Sequence, residues 1–361
     1  MKKNSYKQIY DQLLKQIQRG DYRTGELLPT DLQLTAEFGV SRPTVARAFS
    51  MLVDDGYIER KAGYGTFIKK VPRSFHWNVG LIIPSLGKTE IFEPICAKIA
   101  ECFDRADIKF HWTSSPDAVN SKQAALQICQ SCIEQKLDGV FFTPVEHADH
   151  ADEMNIRILE MLTEAGIQTV LLDRDVLPWP QQTPYDLIGI DNIQAGFVTA
   201  RHLIENGCKT FLFVTESIPA TTVKLRMMGC REALLQSELP LANFQTLETV
   251  MDDPGAVADV ILQKETDALI CANDVTAAAL MRSLIDKGAS IPDQLQVAAF
   301  DDVRYASLLS VPLTTYRQPC TEIGMTAAAT MLERLKNPSG SPRRITLKGE
   351  LIVRQSTQSN K

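Results

Sequence analysis

From residue 79 to residue 301 the chain repeats one pattern, in which a short apolar run is followed by a stretch with helical spacing. Most runs carry apolar residues at consecutive positions, so both faces of each strand are expected to be buried. Strands of this kind alternate with helices in parallel sheets. The runs are VGLIIP, FHWTSS, GVFFTP, TVLLD, LIGID, FLFVTE, ALICAND and VAAFDD. The body of the protein is therefore predicted to be an α/β fold with parallel sheets.

Nearly every apolar run ends in a polar residue. Ligands of open parallel sheets bind outside the carboxyl ends of the strands, so these side chains are expected to converge where a polar small molecule would sit. The alternative is that they cap the helices that follow, which we expect for Asp191 and Asn192. The strand-end residues are Ser85, Thr143, Asp173, Asp191, Asn273 and Asp301.

The first 70 residues follow a helical pattern instead. Thr30 and Gln33 have the spacing of a capping box at the start of a second helix, Gly39 is suited to a turn, and Ser41 is expected to cap a third helix. The first helix is predicted from apolar residues at helical spacing, which are Tyr6, Ile9, Tyr10, Leu13 and Ile17.

The third predicted helix has an exposed stripe that suits DNA. Arg42, Pro43, Ala46, Arg47 and Ser50 share this stripe, and the small residues between the arginines would let the helix approach a surface closely. A helix-turn-helix places such a stripe in the major groove, where arginine can pair with guanine and a hydroxyl can reach phosphate.

A β-hairpin wing is predicted after the third helix, because YIERKAGYGTFIKK holds two short alternating segments around a glycine-rich tip. A winged helix that binds only protein is the alternative reading. The residues predicted to contact DNA are Ser41, Arg42, Pro43, Thr44, Arg47, Lys61, Gly63 and Tyr64.

The charge distribution agrees with a polyanion partner at one end of the chain. Residues 1–70 hold 12 basic and 8 acidic side chains, a net charge of +4, whereas the remainder holds 26 basic and 36 acidic ones, a net charge of −10.

The sequence does not indicate a membrane protein, a secreted protein or a zinc-binding protein. The chain has no run of eighteen apolar residues and no apolar segment typical of a secretory signal, so we expect a cytoplasmic protein. Cys129 and Cys132 form a lone C-x-x-C without the second pair that zinc would need, and we expect them to be structural. No metal and no cofactor is predicted.

The head resembles the GntR-type winged-helix domain over residues 5 to about 70. The motifs that carry this resemblance are Leu28-Pro29, the segment FGVSRPTV, the segment LVDDGYIER and the tip GYGTF. Two positions depart from the family, because Leu32 and Ala46 stand where it usually has arginines. Operator preference therefore cannot be transferred from the family.

The body resembles the LacI-type effector domain and the periplasmic ribose-binding protein over residues 77–356. The resemblance implies a two-lobed body of the type I periplasmic-binding-protein kind, and its combination with a GntR-type head is similar to that of arabinose repressors. The motifs are VGLIIPS, LDGVFFTP, VLLDRD, LIGIDNIQAG, VKLRMMG, DALICAND, QVAAFDD, LTTYRQP and ELIVRQST.

The resemblance also implies which residues hold the ligand. Most match polar sugar contacts of the family, and Phe92 matches an aromatic residue that packs on the sugar ring. The residues implied are Ser85, Lys88, Phe92, Asp173, Arg174, Arg226, Asn273, Asp301 and Gln318.

A sugar hydroxyl is both a donor and an acceptor, so a carboxylate beside arginine or asparagine can hold vicinal hydroxyls in one orientation. Asp173 and Asp301 roughly balance Arg174, Arg226 and Lys88 in charge. This balance favours a neutral monosaccharide over a sugar phosphate.

The predicted function is that of a DNA-binding transcriptional repressor that is released by a small carbohydrate. We expect a homodimer on a palindromic double-stranded operator, and Pro72 in the linker argues against a hinge helix that enters the minor groove. The alternatives are a regulator with a non-sugar, protein or vestigial effector site and, more remotely, a carbohydrate-acting enzyme that uses Asp173 and Asp301. We do not expect an enzyme, because no nucleophile–histidine arrangement accompanies them.

Domain boundaries follow from the patterns and the resemblance. The chain is expected to cross between the lobes near Tyr185, within 302–318 and within 337–343. The predicted segments are a winged helix at 1–70, a linker at 71–77, and a ligand-binding domain at 78–361, with lobe 1 at about 78–184 and 319–340 and lobe 2 at about 185–316 and 341–356.

Overall fold

The computed structural model describes residues 6–358 except for 19–20, 70–76, 84–89, 107, 113–120, 147–150 and 251. It divides into two compact units, Met1–His76 and Trp77–Lys361. Most of the predicted linker, together with Ser85 and Lys88, lies outside the described residues. No helix among the described residues is both long and apolar enough to span a bilayer.

The smaller unit, which we call the head, holds three helices and a hairpin. The elements are α1 (Tyr6–Gln18), α2 (Asp31–Phe38), α3 (Arg42–Asp54), β1 (Ile58–Lys61) and β2 (Gly65–Ile68). The strands pair antiparallel. The capping box at Thr30 and Gln33 is confirmed, and Gly39 ends α2 in the left-handed conformation. The core holds the predicted apolar faces, including Ile9, Leu13, Ile17, Val45, Ala48, Phe49 and Leu52.

The larger unit, which we call the body, has alternating strands and helices. Its strands are β3 (Trp77–Ile82), β4 (Ile108–His111), β5 (Gly139–Phe142), β6 (Gln168–Leu172), β7 (Asp186–Ile190), β8 (Phe211–Glu216), β9 (Phe244–Thr249), β10 (Ala268–Cys271), β11 (Gln296–Asp301), β12 (Thr314–Arg317), β13 (Arg344–Leu347) and β14 (Glu350–Ile352). Its α-helices are α4 (Phe92–Arg105), α5 (Ser121–Glu134), α6 (Ala151–Glu164), α7 (Asn192–Glu205), α8 (Thr221–Gln236), α9 (Pro254–Leu262), α10 (Asp274–Asp286) and α11 (Cys320–Lys336).

Two six-stranded sheets organise the body, and each belongs to one lobe. The lobe 1 sheet has the order β13-β7-β6-β5-β3-β4 and is parallel throughout. The lobe 2 sheet has the order β14-β12-β11-β10-β8-β9 and is parallel except where β14 pairs with β12. The predicted α/β class with parallel sheets is confirmed.

The lobe boundaries differ from the prediction. β7 pairs with β6 and β13 pairs with β7, so residues 186–190 and 344–347 belong to lobe 1 and not to lobe 2. The chain therefore crosses between the sheets at Asp191, at Gln318-Pro319 and at Lys348-Gly349. A buried strand has the same apolar pattern in either sheet, so its pairing partner cannot be inferred from the pattern.

Helices α7 and α8 pack unusually closely at two glycines. A Cβ atom on Gly196 would lie 1.9 Å from the carbonyl oxygen of Arg226, and one on Gly229 would lie 1.9 Å from that of Ile193. Only glycine permits this approach. The crossing holds the backbone of Arg226 against α7, beside the first crossover between the lobes.

The C-x-x-C pair is part of the packing of lobe 1. Cys129 and Cys132 are both fully buried on α5. Burial raises the pKa of the Cys129 thiol to about 11 and that of the Cys132 thiol to about 12. Both thiols are therefore protonated and unreactive at neutral pH.

Candidate ligand-binding cleft and DNA-contacting surface

Polar residues from both lobes line one cavity, which we call the central chamber. Its volume is about 110 Å³. Lobe 1 contributes residues at the start of α4 and residues that follow β5 and β6, and lobe 2 contributes residues of α8, residues that follow β10 and the last residue of β11. The lining includes Phe92, Thr143, Glu146, Asp173, Arg174, Arg226, Asn273 and Asp301. Six of the nine ligand-binding residues expected from the sequence thus lie around one space.

Arg226 is the most extensively bonded residue of the central chamber. It is 4% exposed, and its guanidinium donates from Nε to Asn192 Oδ1 at 3.0 Å and from Nη1 to the carbonyl of Ala272 at 2.8 Å. Its Nη2 lies 3.7 Å from Asp301 Oδ1, and its Cζ lies 4.6 Å from the ring centroid of Phe300. These partners hold the guanidinium in one orientation at the chamber wall.

Gln318 acts on the chamber through Asp301 and does not line the central chamber itself. Its Nε2 donates to Asp301 Oδ1 at 2.8 Å. Gln318 is 4% exposed and lies at the second crossover between the lobes. The orientation of the Asp301 carboxylate is therefore tied to a segment that joins the two sheets.

On the lobe 1 side, Arg174 bridges two carboxylates. Its Nη1 forms ion pairs with Glu146 and with Asp173, whose Oδ2 lies 3.2 Å away. The side chains of Arg174 and Glu146 are only 12% and 13% exposed. Sequence reasoning missed Glu146, although its position just after the FFTP run that ends β5 is a signal that could have indicated it.

The backbone is strained at two carboxylates of the chamber. Asp173 has φ 71° and Asp301 has φ 114°, both in a region that residues with a side chain rarely adopt. Close packing supports the Asp173 turn, because a Cβ on Gly189 would lie 2.9 Å from the Asp173 carbonyl oxygen. Such strain is common at ligand sites, where contacts with the surrounding structure hold the backbone in an unfavourable conformation.

Two strand-end residues serve as helix caps. Asp191 Oδ1 accepts from the backbone N–H of Gln194 at 2.9 Å, as the capping alternative predicts. Asn273 Oδ1 likewise accepts from Thr276 N–H at 2.8 Å and caps α10. Asn273 lines the chamber as expected, but its oxygen is engaged by the helix, which leaves its Nδ2 group as the donor it can offer a ligand.

Two carboxyl groups of lobe 2, those of Asp301 and Asp274, have raised pKa values, which favours their neutral forms. Burial raises the pKa of Asp301, against the opposing effect of Arg226. Burial and the charge of Asp301 raise the pKa of Asp274 to about 8. Asp274 is fully buried and accepts from Thr315 Oγ1 at 2.6 Å and from Val303 N–H at 2.9 Å. Asp274 thus ties the start of α10 to the segment after β11 and to β12.

Two buried polar atoms at the chamber have no hydrogen-bond partner among the described residues. They are the hydroxyl oxygen of Thr143, a residue that is 2% exposed, and the Nε of Arg174. Buried polar groups are nearly always satisfied, so unpaired ones in a cavity wall are consistent with a polar ligand. Thr143 is a strand-end residue that the sequence analysis did not include among the ligand contacts.

In the head, the N-terminus of α3 presents exposed residues, among them Ser41, Arg42 and Pro43. Ser41 occupies the N-cap position, but its hydroxyl is hydrogen-bonded to the Thr44 hydroxyl at 2.8 Å and not to the backbone. The expected side-chain cap is therefore absent. The hydroxyl groups of Ser41 and Thr44 are instead hydrogen-bonded to each other.

Arg47 is held by another helix of the head. Its Cζ lies 4.2 Å from the ring centroid of Tyr6 on α1, which sequence spacing could not indicate. Arg42 has the exposed position at the start of α3, whereas Ala46 and the 60% exposed Leu32 occupy the sites of the usual family arginines.

At the hairpin, Tyr64 is 78% exposed beside Gly63, which has φ 79°. Lys61 Nζ lies 3.8 Å from Glu59 and 5.6 Å from the Phe67 ring centroid. The hairpin tip therefore presents an aromatic ring and a cation at the surface of the head.

Comparisons with known proteins match both units. Residues 5–68 match the family model of bacterial regulatory proteins of the gntR family, and residues 200–357 match that of the periplasmic binding protein-like domain. The arabinose metabolism transcriptional repressor of Geobacillus stearothermophilus is 26% identical over 98% of this chain and 97% of that protein.

Solved structures share the fold. A LacI family transcriptional regulator from Enterococcus faecium with bound ribose has a TM-score of 0.66 at 21% identity, covering 79% of this chain and 100% of its own. The CelR–cellobiose complex, another transcriptional regulator, has a TM-score of 0.66 at 21% identity, covering 91% of this chain and 100% of its own.

Proposed function

We propose that this chain, which joins a gntR-family regulatory domain to a periplasmic-binding-protein-like domain of the LacI type, is a transcriptional repressor that a neutral carbohydrate releases from DNA. Relatives include a repressor of arabinose metabolism, which matches 98% of this chain, and a ribose operon repressor, which matches 51% of it. Transcriptional regulators of the same fold have been solved with ribose, in a LacI family member, and with cellobiose. Because such regulators act on chromosomal DNA, we place this one in the cytoplasm.

The observation that carries the proposal is the chemistry of the central chamber. Carboxylates of Asp173 and Asp301 can each accept hydrogen bonds from hydroxyl groups, and Arg226 can donate to the same hydroxyls. Phe92, which is 1% exposed, supplies an apolar wall for the C–H face of a sugar ring. This mixture suits a molecule that presents both donors and acceptors on an apolar frame.

The charges of the chamber favour a neutral sugar over a sugar phosphate. Three carboxylates, those of Glu146, Asp173 and Asp301, face two guanidinium groups, those of Arg174 and Arg226. Glu146 and Asp173 already neutralise Arg174. A phosphate would need at least one cation in excess, and the described lining residues do not provide it. We therefore propose that a neutral monosaccharide ring occupies the central chamber.

We propose that the ligand acts by shifting the two lobes towards a closed arrangement. It contacts residues of both lobes, so its affinity depends on how the lobes are set about the three crossovers. In a homodimer this would change the spacing of the two heads, to which a palindromic operator is sensitive. A coupling free energy of about 1–3 kcal/mol would change the affinity for the operator between about fivefold and 150-fold.

A sugar panel tests the proposal. The full-length protein is screened by thermal shift and titration calorimetry with L-arabinose, D-xylose, D-ribose, D-glucose and D-galactose, each beside its phosphate where one exists. We expect one neutral sugar to raise the melting temperature and to release the protein from DNA fragments that it selects. Asp173→Asn should remove both effects, whereas Asp286→Asn, a matched exposed change on α10 away from the central chamber, should preserve them. Binding of phosphorylated sugars alone, or of no sugar, would contradict the proposal.

A further inference from the structure

The central chamber is smaller than most ligand sites. Its volume of about 110 Å³ lies below the range of roughly 300–1,000 Å³ that is usual for small-molecule pockets. It is lined by residues of both lobes, and no more than one sugar ring would fit in it. Any larger ligand must therefore extend beyond the central chamber into neighbouring space.

Such space lies beside it in a second cavity of about 480 Å³, which we call the side chamber. It is bounded by the residues after β5 and β6 on lobe 1 and by the start of α8 on lobe 2. The two chambers share five lining residues, which are Pro144, Val145, Glu146, Arg174 and Ala220. The side chamber is thus continuous in its walls with the proposed sugar site, and its volume lies within the usual range.

The walls of the side chamber are both apolar and polar. Trp179 is 57% exposed although it lines a cavity, and Leu225 and Met228 on α8 add half-buried apolar surface. The exposed polar side chains of Asp152 and Lys224 also belong to the lining. A sugar ring has one face rich in C–H groups and a rim of hydroxyls, so it matches an indole ring beside charged groups.

The Glu146–Arg174 ion pair belongs to both chambers. The Nε of Arg174 is buried and has no hydrogen-bond partner among the described residues. A guanidinium has five N–H donors in a fixed plane. Arg174 can therefore donate to a group in the central chamber and to a linking oxygen or a second ring beside it.

We propose that the effector is a disaccharide, with one ring in the central chamber and the second in the side chamber against Trp179, Leu225 and Met228. This inference rests on the proposed function, because it requires that a sugar occupies the central chamber. It goes further by stating that a second sugar ring contributes to the affinity for the effector. The side chamber then determines which linked sugars act as effectors.

The test compares linked and single sugars on a variant whose side chamber is filled. Calorimetry is run with the monosaccharide found in the sugar panel and with disaccharides of that sugar, such as xylobiose for xylose or cellobiose and maltose for glucose. Leu225→Trp adds an indole to the side chamber at a position that does not line the central one. Leu235→Trp, at a 53% exposed position of the same helix that does not line the side chamber, is the matched control.

We expect one disaccharide to bind the wild-type protein at least tenfold more tightly than its monosaccharide. Leu225→Trp should remove this advantage while it leaves monosaccharide affinity within about twofold, which also shows that the variant folds. Leu235→Trp should leave both affinities unchanged. Equal affinity for single and linked sugars, or an unaltered disaccharide advantage in Leu225→Trp, would overturn the inference while the proposed function stands. Failure of every sugar to bind would instead overturn the proposed function.

Discussion

The guanidinium of Arg226 on α8 lies 3.7 Å from the carboxylate of Asp301 at the end of β11, and both side chains are almost completely buried. Burial raises the pKa of Asp301, and Arg226 opposes this effect. A buried pair of this kind contributes little net stability when intact, but removal of one member leaves the charge of the other uncompensated. The pair therefore links the stability of lobe 2 to the geometry of the proposed sugar site.

Replacement of Arg226 by methionine should destabilise the protein by about 3 kcal/mol, because the buried Asp301 carboxylate would lose the cation beside it. Asp301→Asn in the same chain should restore at least about 1 kcal/mol, since the carboxylate charge is then removed. Urea denaturation of the single and double variants measures both effects. Arg201→Met, which breaks the exposed pair with Glu205, should cost less than about 1 kcal/mol. An Arg226→Met variant as stable as the Arg201 control would contradict this assignment.

Thr143→Val should separate ligand binding from stability. The Thr143 hydroxyl is buried without a hydrogen-bond partner among the described residues, so its replacement by a methyl group should leave the free protein as stable or slightly more stable. Affinity for the sugar should fall by about 1–2 kcal/mol if the hydroxyl contacts the ligand. Calorimetry and thermal denaturation of the same preparation report the two quantities.

Thr315→Val is the matched control for Thr143→Val, since the Thr315 hydroxyl donates to Asp274 at 2.6 Å. It should destabilise the free protein by about 1–3 kcal/mol, because the buried Asp274 carboxyl group loses one of its two hydrogen-bond partners. Unchanged sugar affinity in Thr143→Val would remove this hydroxyl from the site.

Asp274 should make the stability of the protein depend on pH. Its pKa rises from 3.8 to about 8 on folding, first through burial and then through the charge of Asp301. The folded state therefore binds more protons than the unfolded state between these values, and this contribution to stability is lost as pH rises from about 4 to 8. The Asp274→Asn variant has no carboxyl group to titrate and should not show this loss of stability. Urea denaturation should therefore show that the stability of the variant relative to wild type increases with pH.

The control for Asp274 is Asp267→Asn. Burial opposes the effect, but hydrogen bonds from the backbone N–H groups of Lys209 and Thr210 lower the pKa of Asp267. The Asp267 carboxylate therefore stabilises the folded state above its ordinary pKa of 3.8, and this stabilisation is lost only as pH falls below that value. The difference in stability between wild type and Asp267→Asn should thus be constant from pH 5 to pH 8. A difference for Asp274→Asn that is equally constant would show that Asp274 does not titrate in this range.

Arg42→Ala should weaken binding to a selected DNA fragment by about 1–3 kcal/mol and leave sugar affinity unchanged. Arg42 is exposed at the start of α3, where a helix in the major groove reads bases. Arg47→Ala should have a smaller effect on DNA binding, because its guanidinium packs on the ring of Tyr6. Fluorescence anisotropy at several salt concentrations measures both. If Arg47→Ala alone weakens specific binding, the proposed base contact belongs to Arg47.

Local patterns were sufficient to predict most helices and strands. Unbroken apolar runs indicated buried parallel strands, and the helical stripe of Val45, Ala48, Phe49 and Leu52 indicated the buried face of α3. Polar residues were also expected at one edge of each sheet, because parallel strands end there, and Asp173 and Asp301 lie at such edges of two different sheets. These features depend on burial periodicity and on chain direction, which are properties of short segments.

Partnerships between distant segments could not be predicted in the same way. The pairing of Arg174 with Glu146 and the position of Arg47 over Tyr6 both join residues that no local spacing relates. The same is true of Gln318, which orients Asp301 and does not line the central chamber. In each case several polar groups compete for one partner, and the outcome depends on the packing around them.

The order of residues along the chain determined which segments form strands and helices, and which polar residues follow the strands. Tertiary structure alone decided that β7 and β13 join the lobe 1 sheet, that Glu146 belongs to the chamber, and that a second cavity adjoins it. The physical reason is that side-chain burial repeats with the local backbone period, whereas the choice of a strand neighbour, an ion-pair partner or a cavity wall depends on how whole elements pack together.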